Sequence, residues 1–336
     1  MMTPKRKSRM LAGDIGGTKT YLGLFEAGEN RPDLKILETY ASQKYKSLAN
    51  MIKDFLDKHP LRLDSACFGV AGPVINGTCK VTNLPWVISE DRIRKWLSLS
   101  KVKLMNDLAA TAMAIPVIGG RERRALNRVK EKKGLNIGLV APGTGLGQAL
   151  LVGQEGSYIP VSSEGGHVDF APTSETQIEL WRFLHRRYGH VSVERVISGT
   201  GLWDIYSWLK QSGQYKEPAW LGQEIQNGDP PQVISKTALA KKSPICEKSL
   251  EIYVSIIGAV SGNLALTALT TGGIYLGGGI PPKILPALQN GTFMKSFTDK
   301  GRFRGLLEKI PVHVILHDQA ALLGAARGAE DLINKT

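Results

Sequence analysis

Apolar and polar positions alternate along the chain in short runs that predict strands separated by helices. Apolar residues 10–12 and 21–25 flank a glycine-containing turn at 13–18, which predicts a hairpin. The same design of strand, glycine turn and strand recurs further along, at 135–140, 142–147 and 148–152. The chain is therefore expected to contain two halves that begin alike.

The remaining segments read as alternating strands and helices. Buried strands are predicted at 66–71, 102–105 and 273–277. Helical periodicity is found at 48–56, 108–113, 175–188, 250–269 and 319–333. This alternation predicts the α/β class. Because no low-complexity linker interrupts it, we expect two lobes with a cleft between them.

Size and composition agree with a folded, two-domain protein. The chain has 336 residues, of which 42% are hydrophobic and 22% charged. We expect no apolar run long enough for a membrane span, and the basic stub at 3–9 has no apolar signal core behind it. These features predict a cytoplasmic protein without membrane contact.

Cysteine usage excludes two kinds of site. The only cysteines, Cys67, Cys79 and Cys246, are widely spaced. They can form neither a disulfide framework nor a Cys-x-x-Cys zinc knuckle. A reducing compartment fits this usage.

The net charge of +13 is concentrated in two places. Four cations lie in the stub, and seven lie in the stretch 121–133. That stretch has no interleaved aromatic residues and no nucleic-acid motif, so it is interpreted as a solvated surface segment. No nucleic-acid partner is predicted, although the charge can help to attract anionic nucleotides.

The first glycine turn suits phosphate binding. Glycines such as Gly16 and Gly17 let backbone amides approach phosphate oxygens, and Asp14 at the strand end can hold Mg²⁺ directly or through water. Thr18 stands where a P-loop has glycine before Lys19, and a strand follows, so a P-loop is disfavoured. An ordinary hairpin turn with a solvated aspartate is the alternative.

Two further glycine clusters fit a nucleotide. The turn containing Gly143, Thr144 and Gly145 can close on the same nucleotide from the opposite lobe, and no helix follows it as a dinucleotide-binding turn requires. Glycines 277–279, including Gly279, leave flat space for an adenine ring. A plain strand-end turn explains the latter cluster equally well.

The pair Asn106 and Asp107 follows a predicted strand and precedes a predicted helix. Asp107 can accept a hydroxyl proton, and Asn106 can fix the same substrate by hydrogen bonds. Alternatively, the two residues are a helix N-cap pair.

A third cluster suits a polyhydroxylated substrate. Glu164 and His167 flank two glycines that leave room for a ligand. The alternatives are a surface turn and, for His167, a structural hydrogen bond to backbone. Glu194 interrupts a valine-rich stretch, and taken alone it is interpreted as a surface helix residue.

Taken together, six motifs resemble those of bacterial glucokinases in the same order: 14–18, 106–107, 143–147, 163–167, 193–199 and 276–279. The resemblance covers about residues 10–330. It implies the two-lobed actin-like ATPase (ribonuclease H-like) fold with an interlobe cleft. The small lobe would comprise 1–116 plus 318–336, and the large lobe 117–317.

The resemblance also implies roles for individual residues. Asp107 would be the catalytic base, and the sugar ligands would be Asn106, Asp107, Glu164, His167 and Glu194. The phosphates would be held by residues 14–19, which include Thr18 and Lys19, and by Gly143 to Gly145, with Gly279 near the adenosine. No cysteine follows His167 in 168–172, so His167 is expected to bind sugar and not the zinc of related sugar kinases and repressors.

The implied activity is that of a glycolytic glucokinase. ATP with Mg²⁺ would phosphorylate glucose at its 6-hydroxyl, giving glucose 6-phosphate and ADP. A kinase for another hexose or an amino sugar, or a non-catalytic sugar-sensing regulator on the same fold, are the alternatives. The resemblance further implies a homodimer.

Overall fold

The computed structural model describes residues 6–154 and 157–334, which form two compact units. The first unit comprises 6–119, 160–162 and 317–334, and the second comprises 120–154, 157–159 and 163–316. Residues 3–5 of the basic stub lie outside the described residues.

Strands and helices alternate as the sequence predicts. The strands are β1 (Arg9–Ile15), β2 (Lys19–Glu26), β3 (Asp33–Ala41), β4 (Ser65–Val70), β5 (Val74–Ile75), β6 (Thr78–Lys80), β7 (Val87–Ser89), β8 (Val102–Asn106), β9 (Arg123–Ala125), β10 (Ile137–Pro142), β11 (Leu146–Gln154), β12 (Ser157–Ser163), β13 (Gly273–Leu276) and β14 (Val312–Ile315). The helices are α1 (Leu48–Lys58), α2 (Glu90–Leu97), α3 (Asp107–Ala114), α4 (Glu175–Tyr188), α5 (Glu194–Ile197), α6 (Gly199–Gln211), α7 (Ala219–Asn227), α8 (Pro230–Leu239), α9 (Pro244–Thr267), α10 (Leu285–Leu288), α11 (Thr292–Thr298), α12 (Arg304–Leu307) and α13 (Ala320–Asn334). Short 3₁₀ turns lie at Ser42–Lys44, Gly120–Glu122, Gly165–His167 and Gly301–Phe303. The predicted α/β class is confirmed.

The first unit is built on a five-stranded sheet in the order β3-β2-β1-β4-β8. β1, β2 and β3 form an antiparallel meander, whereas β1, β4 and β8 are parallel. Helices α3 and α13 pack on each other, and α13 also covers β1 and β4. The carboxyl ends of the three parallel strands therefore meet at one edge of the sheet, where loops can build a site.

The second unit repeats this arrangement. Its strands belong to a six-stranded sheet in the order β12-β11-β10-β13-β14-β9, in which β10, β13 and β14 are parallel and β10 and β11 form the antiparallel hairpin. The two predicted hairpins, β1–β2 and β10–β11, are thus confirmed. Each unit has its own hydrophobic core.

The first hairpin differs from the prediction in one detail. Gly13 and Asp14, predicted as part of the turn, lie within β1, which continues to Ile15. Gly13 pairs with Leu22 and Asp14 with Tyr21, so the strand pairing continues past the glycine at which the turn was predicted to begin. The turn itself is confined to residues 16–18, and Asp14 is fixed by the sheet.

Helix α9 corrects the expectation that no apolar run is long enough for a membrane span. Its 24 residues have the length and apolar composition of a membrane span, but 67% of its 18-residue apolar segment is buried inside the protein. Serine, glycine and threonine residues interrupt the apolar run in the sequence, but in the helix they are mostly buried. The helix packs against α6, α8 and α11. Such burial is that of a core helix.

The basic stretch 121–133 is also more ordered than predicted. Within it β9 pairs antiparallel with β14 and forms an edge of the sheet. Arg123 donates to the hydroxyl of Tyr275 at 3.1 Å and forms an ion pair with Glu131 at 2.9 Å. Asn127 makes hydrogen bonds to Ile310 and Val312. The stretch lies at the surface, as interpreted from the sequence, but the side chains of Arg123, Asn127 and Glu131 anchor it to the sheet. The exposed cation Arg124 on this edge strand discourages pairing with a further strand.

Candidate active site

The turn between β1 and β2 presents backbone amides to solvent. The amide of Gly16 donates to the carbonyl of Lys19 at 3.1 Å and closes the turn. A Cβ at Gly16 would lie 2.8 Å from that carbonyl, so only glycine fits. Among the described residues, no partner accepts from the amides of Gly17 and Thr18. The ammonium of Lys19 lies over the ring of Tyr21, 4.6 Å from its centroid.

A buried serine fixes this turn from behind. The hydroxyl of Ser42 donates to the carbonyl of Gly16 at 2.7 Å, and its amide donates to the carbonyl of Thr18 at 3.0 Å. The hydroxyl of Thr20 lies 2.9 Å from that of Ser42. Because Ser42 has one hydroxyl proton and Gly16 receives it, Thr20 is the donor to Ser42. Both side chains are fully buried, so these bonds are shielded from water.

Asp14 lies beside this turn and close to Asp107. Burial, and to a smaller extent the negative charge of Asp107, together raise the pKa of Asp14 from 3.8 to about 6. The sheet explains the proximity. Gly69 of β4 pairs with Asp14 on one side and with Met105 on the other, so β1 and β8 flank a residue without a side chain.

The raised pKa makes a prediction about stability in the absence of metal. A carboxyl whose folded pKa exceeds its unfolded value stabilises the fold below about pH 4, and that contribution is lost as the pH rises through about 6. Because asparagine does not ionise, Asp14→Asn removes this loss of stability at high pH. At pH 8 with a chelator, we expect the variant to exceed the wild type in free energy of unfolding by about 1 to 3 kcal/mol.

Urea denaturation at pH 8 and pH 4 measures this difference. At pH 4 the wild-type carboxyl is largely protonated, so the two proteins should differ little, which serves as the internal control. A variant that is no more stable than the wild type at pH 8 would contradict the electrostatic account of Asp14.

Asn106 and Asp107 lie where β8 passes into α3. The Asn106 side-chain oxygen accepts from the amides of Leu108 and Ala109, so the N-cap interpretation of Asn106 is confirmed. Its amide nitrogen donates to the carbonyl of Gly72 at 3.2 Å. Because that nitrogen carries two hydrogens, one N–H remains for a ligand. Capping and ligand binding are therefore compatible.

Asp107 is the first residue of α3 and is partly exposed. One of its oxygens accepts from the amide of Leu108 at 2.9 Å. The carboxyl thus lies at the positive end of the α3 dipole. The first unit thus brings together the predicted residues Asp14, Asn106 and Asp107 with the turn at 16–18.

In the second unit, the turn between β10 and β11 has a similar construction. The amide of Gly143 donates to the carbonyl of Gly145 at 2.8 Å, and the carbonyl of Gly143 accepts from Gly199 at 2.9 Å. Within the part of the chain that the structure describes, no acceptor is found for the amides of Thr144 and Gly145. This turn also has amides available for an anion.

A cavity of about 410 Å³ opens beside this turn in the second unit. Gly143, Thr144 and Gly279 all line it, so the structure brings the second and third predicted glycine clusters together. Asp229, Ser235 and Lys283 supply polar groups at its wall. A Cβ at Gly279 would meet nothing within 4 Å, so its wall there is flat and open.

His167 ends the 3₁₀ turn Gly165–His167, and Glu164 directly precedes it; the turn packs against β11. The amide of His167 donates to the carbonyl of Glu164 at 2.9 Å. A Cβ at Gly166 would clash with the carbonyl of Leu146, and one at Gly165 with the side chain of Gln148. Both glycines are therefore needed for close packing, while the side chains of Glu164 and His167 are exposed. The described residues provide no hydrogen bond to the His167 ring, so the structural alternative for it finds no support.

Glu194 begins α5 and is not an ordinary surface residue. Its side chain is partly buried, and Oε2 accepts from the amide of Leu146 at 2.8 Å. The interpretation as a surface helix residue was wrong because this contact joins residues 48 positions apart in the chain. Sequence reasoning also missed Ser42, Thr20 and Gln148, for which no local signal exists.

Comparisons with known proteins agree on one family. A family model described as Glucokinase matches residues 11–332. A curated glucokinase from Nostoc punctiforme is 40% identical over 332 residues, which cover 94% of this chain and 97% of that protein. The extent of these matches leaves little of the chain unaccounted for.

Solved structures show the same fold. A glucokinase from an Antarctic psychrotroph has a TM-score of 0.87 at 29% identity, covering 96% of this chain and 99% of that chain. A ROK family glucokinase from Streptomyces griseus, in complex with glucose and AMPPNP, has a TM-score of 0.63 at 19% identity, covering 96% and 100%. The predicted actin-like ATPase fold is confirmed. The chain belongs to the glucokinase family of ATP:hexose phosphotransferases.

Proposed function

We propose that this protein transfers the γ-phosphoryl group of ATP to the 6-hydroxyl of glucose, giving glucose 6-phosphate and ADP. The observation that carries the mechanism is the placement of Asp107 and Asp14 beside the 16–18 turn in the first unit. A proton acceptor, a candidate metal ligand and free amides are thus combined there, as phosphoryl transfer requires.

In this mechanism, Asp107 accepts the proton of the 6-hydroxyl while its oxygen attacks the γ-phosphorus. The bond between that phosphorus and the β–γ bridging oxygen breaks, and ADP leaves with the electron pair. Amides of Gly17 and Thr18, and of Thr144 and Gly145, stabilise the charge on phosphate oxygens. The ammonium of Lys19 adds a positive charge near the first turn.

Asp14 is the proposed Mg²⁺ ligand, directly or through water. Burial and, second, charge repulsion from Asp107 raise its pKa, and a bound cation would relieve that repulsion. No group of three or more His, Cys, Asp or Glu residues suited to a metal occurs among the described residues. Phosphate and water oxygens would complete the coordination, as is usual for Mg²⁺. When bound, the ion neutralises phosphate charge.

Glucose is held, in this proposal, by Asn106, Glu164, His167 and Glu194. Asn106 retains one N–H donor, and exposed Glu164 offers a charged acceptor for sugar hydroxyls. The adenosine would occupy the cavity lined by Gly143 and Gly279. Its open glycine surface at Gly279 suits a flat ring.

The proposal is tested by incubating the protein with MgATP and a panel of hexoses and amino sugars, following ADP and sugar phosphate. We expect glucose to give the highest kcat/KM. Preference for another sugar would identify that sugar as the substrate. Sugar binding without ADP formation would indicate a sugar-sensing regulator. We further propose a cytoplasmic homodimer, for which light scattering after gel filtration is the test.

The buried serine leads to a prediction for the nucleotide. Ser42→Ala removes the hydroxyl that holds Gly16 and leaves the Thr20 hydroxyl without an acceptor. A buried hydroxyl left without its hydrogen-bond acceptor costs about 1 to 3 kcal/mol. We therefore expect the KM for ATP to rise about tenfold, while the KM for glucose stays nearly unchanged.

Steady-state kinetics in both substrates distinguish this from a general loss of stability. Ser47→Ala is the matched control, because Ser47 only caps α1 at an exposed position. If Ser42→Ala lowers the melting temperature but leaves the KM for ATP unchanged, the serine supports the fold and not phosphate binding.

A further inference from the structure

The carboxylate of Glu194 touches the glycine turn of the second unit directly. Its Oε2 accepts from the amide of Leu146, the first residue after the turn, at 2.8 Å. A Cβ at Gly145 would lie 2.5 Å from the same oxygen. The turn therefore admits this carboxylate only because residue 145 has no side chain.

The backbone conformation does not explain why residue 145 is a glycine. Gly145 has no positive φ, so an alanine can adopt its backbone conformation. Gly143, two residues earlier in the same turn, also has no positive φ, and a Cβ there would meet nothing within 4 Å. The two glycines differ in what a side chain would meet, because only Gly145 lies against Glu194.

The helix that carries Glu194 is joined to the turn at its other end as well. Beyond Ile197, the amide of Gly199 donates to the carbonyl of Gly143 at 2.9 Å. The carbonyl of Ile197 accepts from the buried hydroxyl of Tyr253 at 3.0 Å, which ties α5 to α9. Helix α5 and the turn are thus linked at two points, and displacement of one is expected to displace the other.

We propose that Glu194 couples sugar binding to nucleotide binding, acting as a positioning residue for the Gly143 to Gly145 turn in addition to contacting sugar. This inference rests on the proposed function and extends it. A carboxylate has about four acceptor positions on two oxygens, and Leu146 occupies one of them. A sugar hydroxyl bound at the remaining positions fixes the orientation of the carboxylate, and with it the amides that face phosphate.

Coupling of this kind is reciprocal. If glucose strengthens nucleotide binding by some factor, the nucleotide must strengthen glucose binding by the same factor. A change in the nucleotide turn that displaces Glu194 should therefore weaken glucose even when no nucleotide is present. A phosphate-binding turn that does not contact a sugar ligand would leave the glucose affinity unchanged when it is altered.

The first test compares Gly145→Ala with its matched control Gly143→Ala, measuring the glucose Kd by calorimetry without nucleotide. The Cβ at 145 meets the end of a flexible side chain, so the variant should fold but displace the carboxylate. We expect Gly145→Ala to raise the glucose Kd about tenfold, as for a lost charged hydrogen bond, and Gly143→Ala to change it less than twofold. An unchanged Kd in Gly145→Ala, or equal losses in both variants, would overturn the coupling.

The second test changes Glu194 itself and measures the Kd of ADP without sugar. Glu194→Gln retains an oxygen that can accept from Leu146, whereas Glu194→Ala does not. We expect the ADP Kd to rise several-fold in Glu194→Ala and to stay near the wild-type value in Glu194→Gln. An ADP Kd unaffected by Glu194→Ala would refute the coupling alone. A wild-type protein that binds no glucose would refute the proposed function, and the coupling with it.

Discussion

Replacing Asp107 by asparagine is expected to lower kcat for glucose phosphorylation about 10²- to 10⁴-fold, the usual contribution of a positioned general base. The variant retains the shape of the side chain, including an oxygen that can accept from the amide of Leu108. Helix α3 should therefore form as before, and glucose should still bind. Removal of the charge should also lower the pKa of Asp14, because Asp107 contributes to raising it.

The measurement is kcat under saturating glucose and MgATP, together with the glucose Kd by calorimetry. Asp57→Asn is a suitable control, since Asp57 is an exposed acid on α1 in the same unit with Lys53 as its partner. Turnover close to that of the wild type in Asp107→Asn would rule out the base assignment. Loss of glucose binding in parallel with kcat would indicate that Asp107 chiefly binds the substrate.

The parts of the fold that could be predicted from sequence are those set by local patterns. The strand–turn–strand units followed from apolar runs interrupted by glycine, and both hairpins are present. Helix α4 has the predicted bounds, since a serine N-cap precedes it and Gly189 follows it. Asp14, by contrast, was expected in a turn because Gly13 precedes it, but sheet pairing overrides that local preference.

The features that the sequence did not predict have one physical origin, which is contact between distant parts of the chain. Ser42 bonds to Gly16 across 26 residues, and nothing near either residue indicates it. Strand β9 in the basic stretch was missed because its partner β14 lies almost 190 residues later. Helix α9 looked too polar for a long apolar helix, since its small polar residues are buried only through packing with other helices. Such information is held in the tertiary structure and not in a window of sequence.

The candidate site shows the same division. Gly143, Gly145 and Glu194 were each identifiable, the glycines from composition and Glu194 through the resemblance to glucokinases. Their mutual contact was not, because it depends on the packing of α5 against the β10–β11 turn. A motif therefore identified the residues, whereas only the structure shows that the Glu194 carboxylate contacts the β10–β11 turn.

The second large effect is expected at the exposed pair Glu164 and His167. A hydrogen bond to a charged acceptor contributes about 1.5 to 3 kcal/mol, so Glu164→Gln should raise the glucose Kd about tenfold to a hundredfold. His167→Ala should raise it less, because a neutral imidazole hydrogen bond contributes about 0.5 to 1.5 kcal/mol. The Kd of ADP without sugar should be unchanged in both variants, since neither side chain lines the cavity beside the Gly143 turn.

Calorimetry with glucose and ADP separately measures these effects, with Glu175→Gln as the matched control at an exposed position on α4. Elemental analysis tests the competing zinc assignment for His167. All three cysteines are buried, and no group of three or more His, Cys, Asp or Glu residues suited to a metal is found in 6–154 or 157–334. We therefore expect no bound zinc, and a chelator should inhibit only by removing Mg²⁺. Stoichiometric zinc that is lost in His167→Ala would overturn the sugar-ligand assignment, as would a glucose Kd unmoved by either substitution.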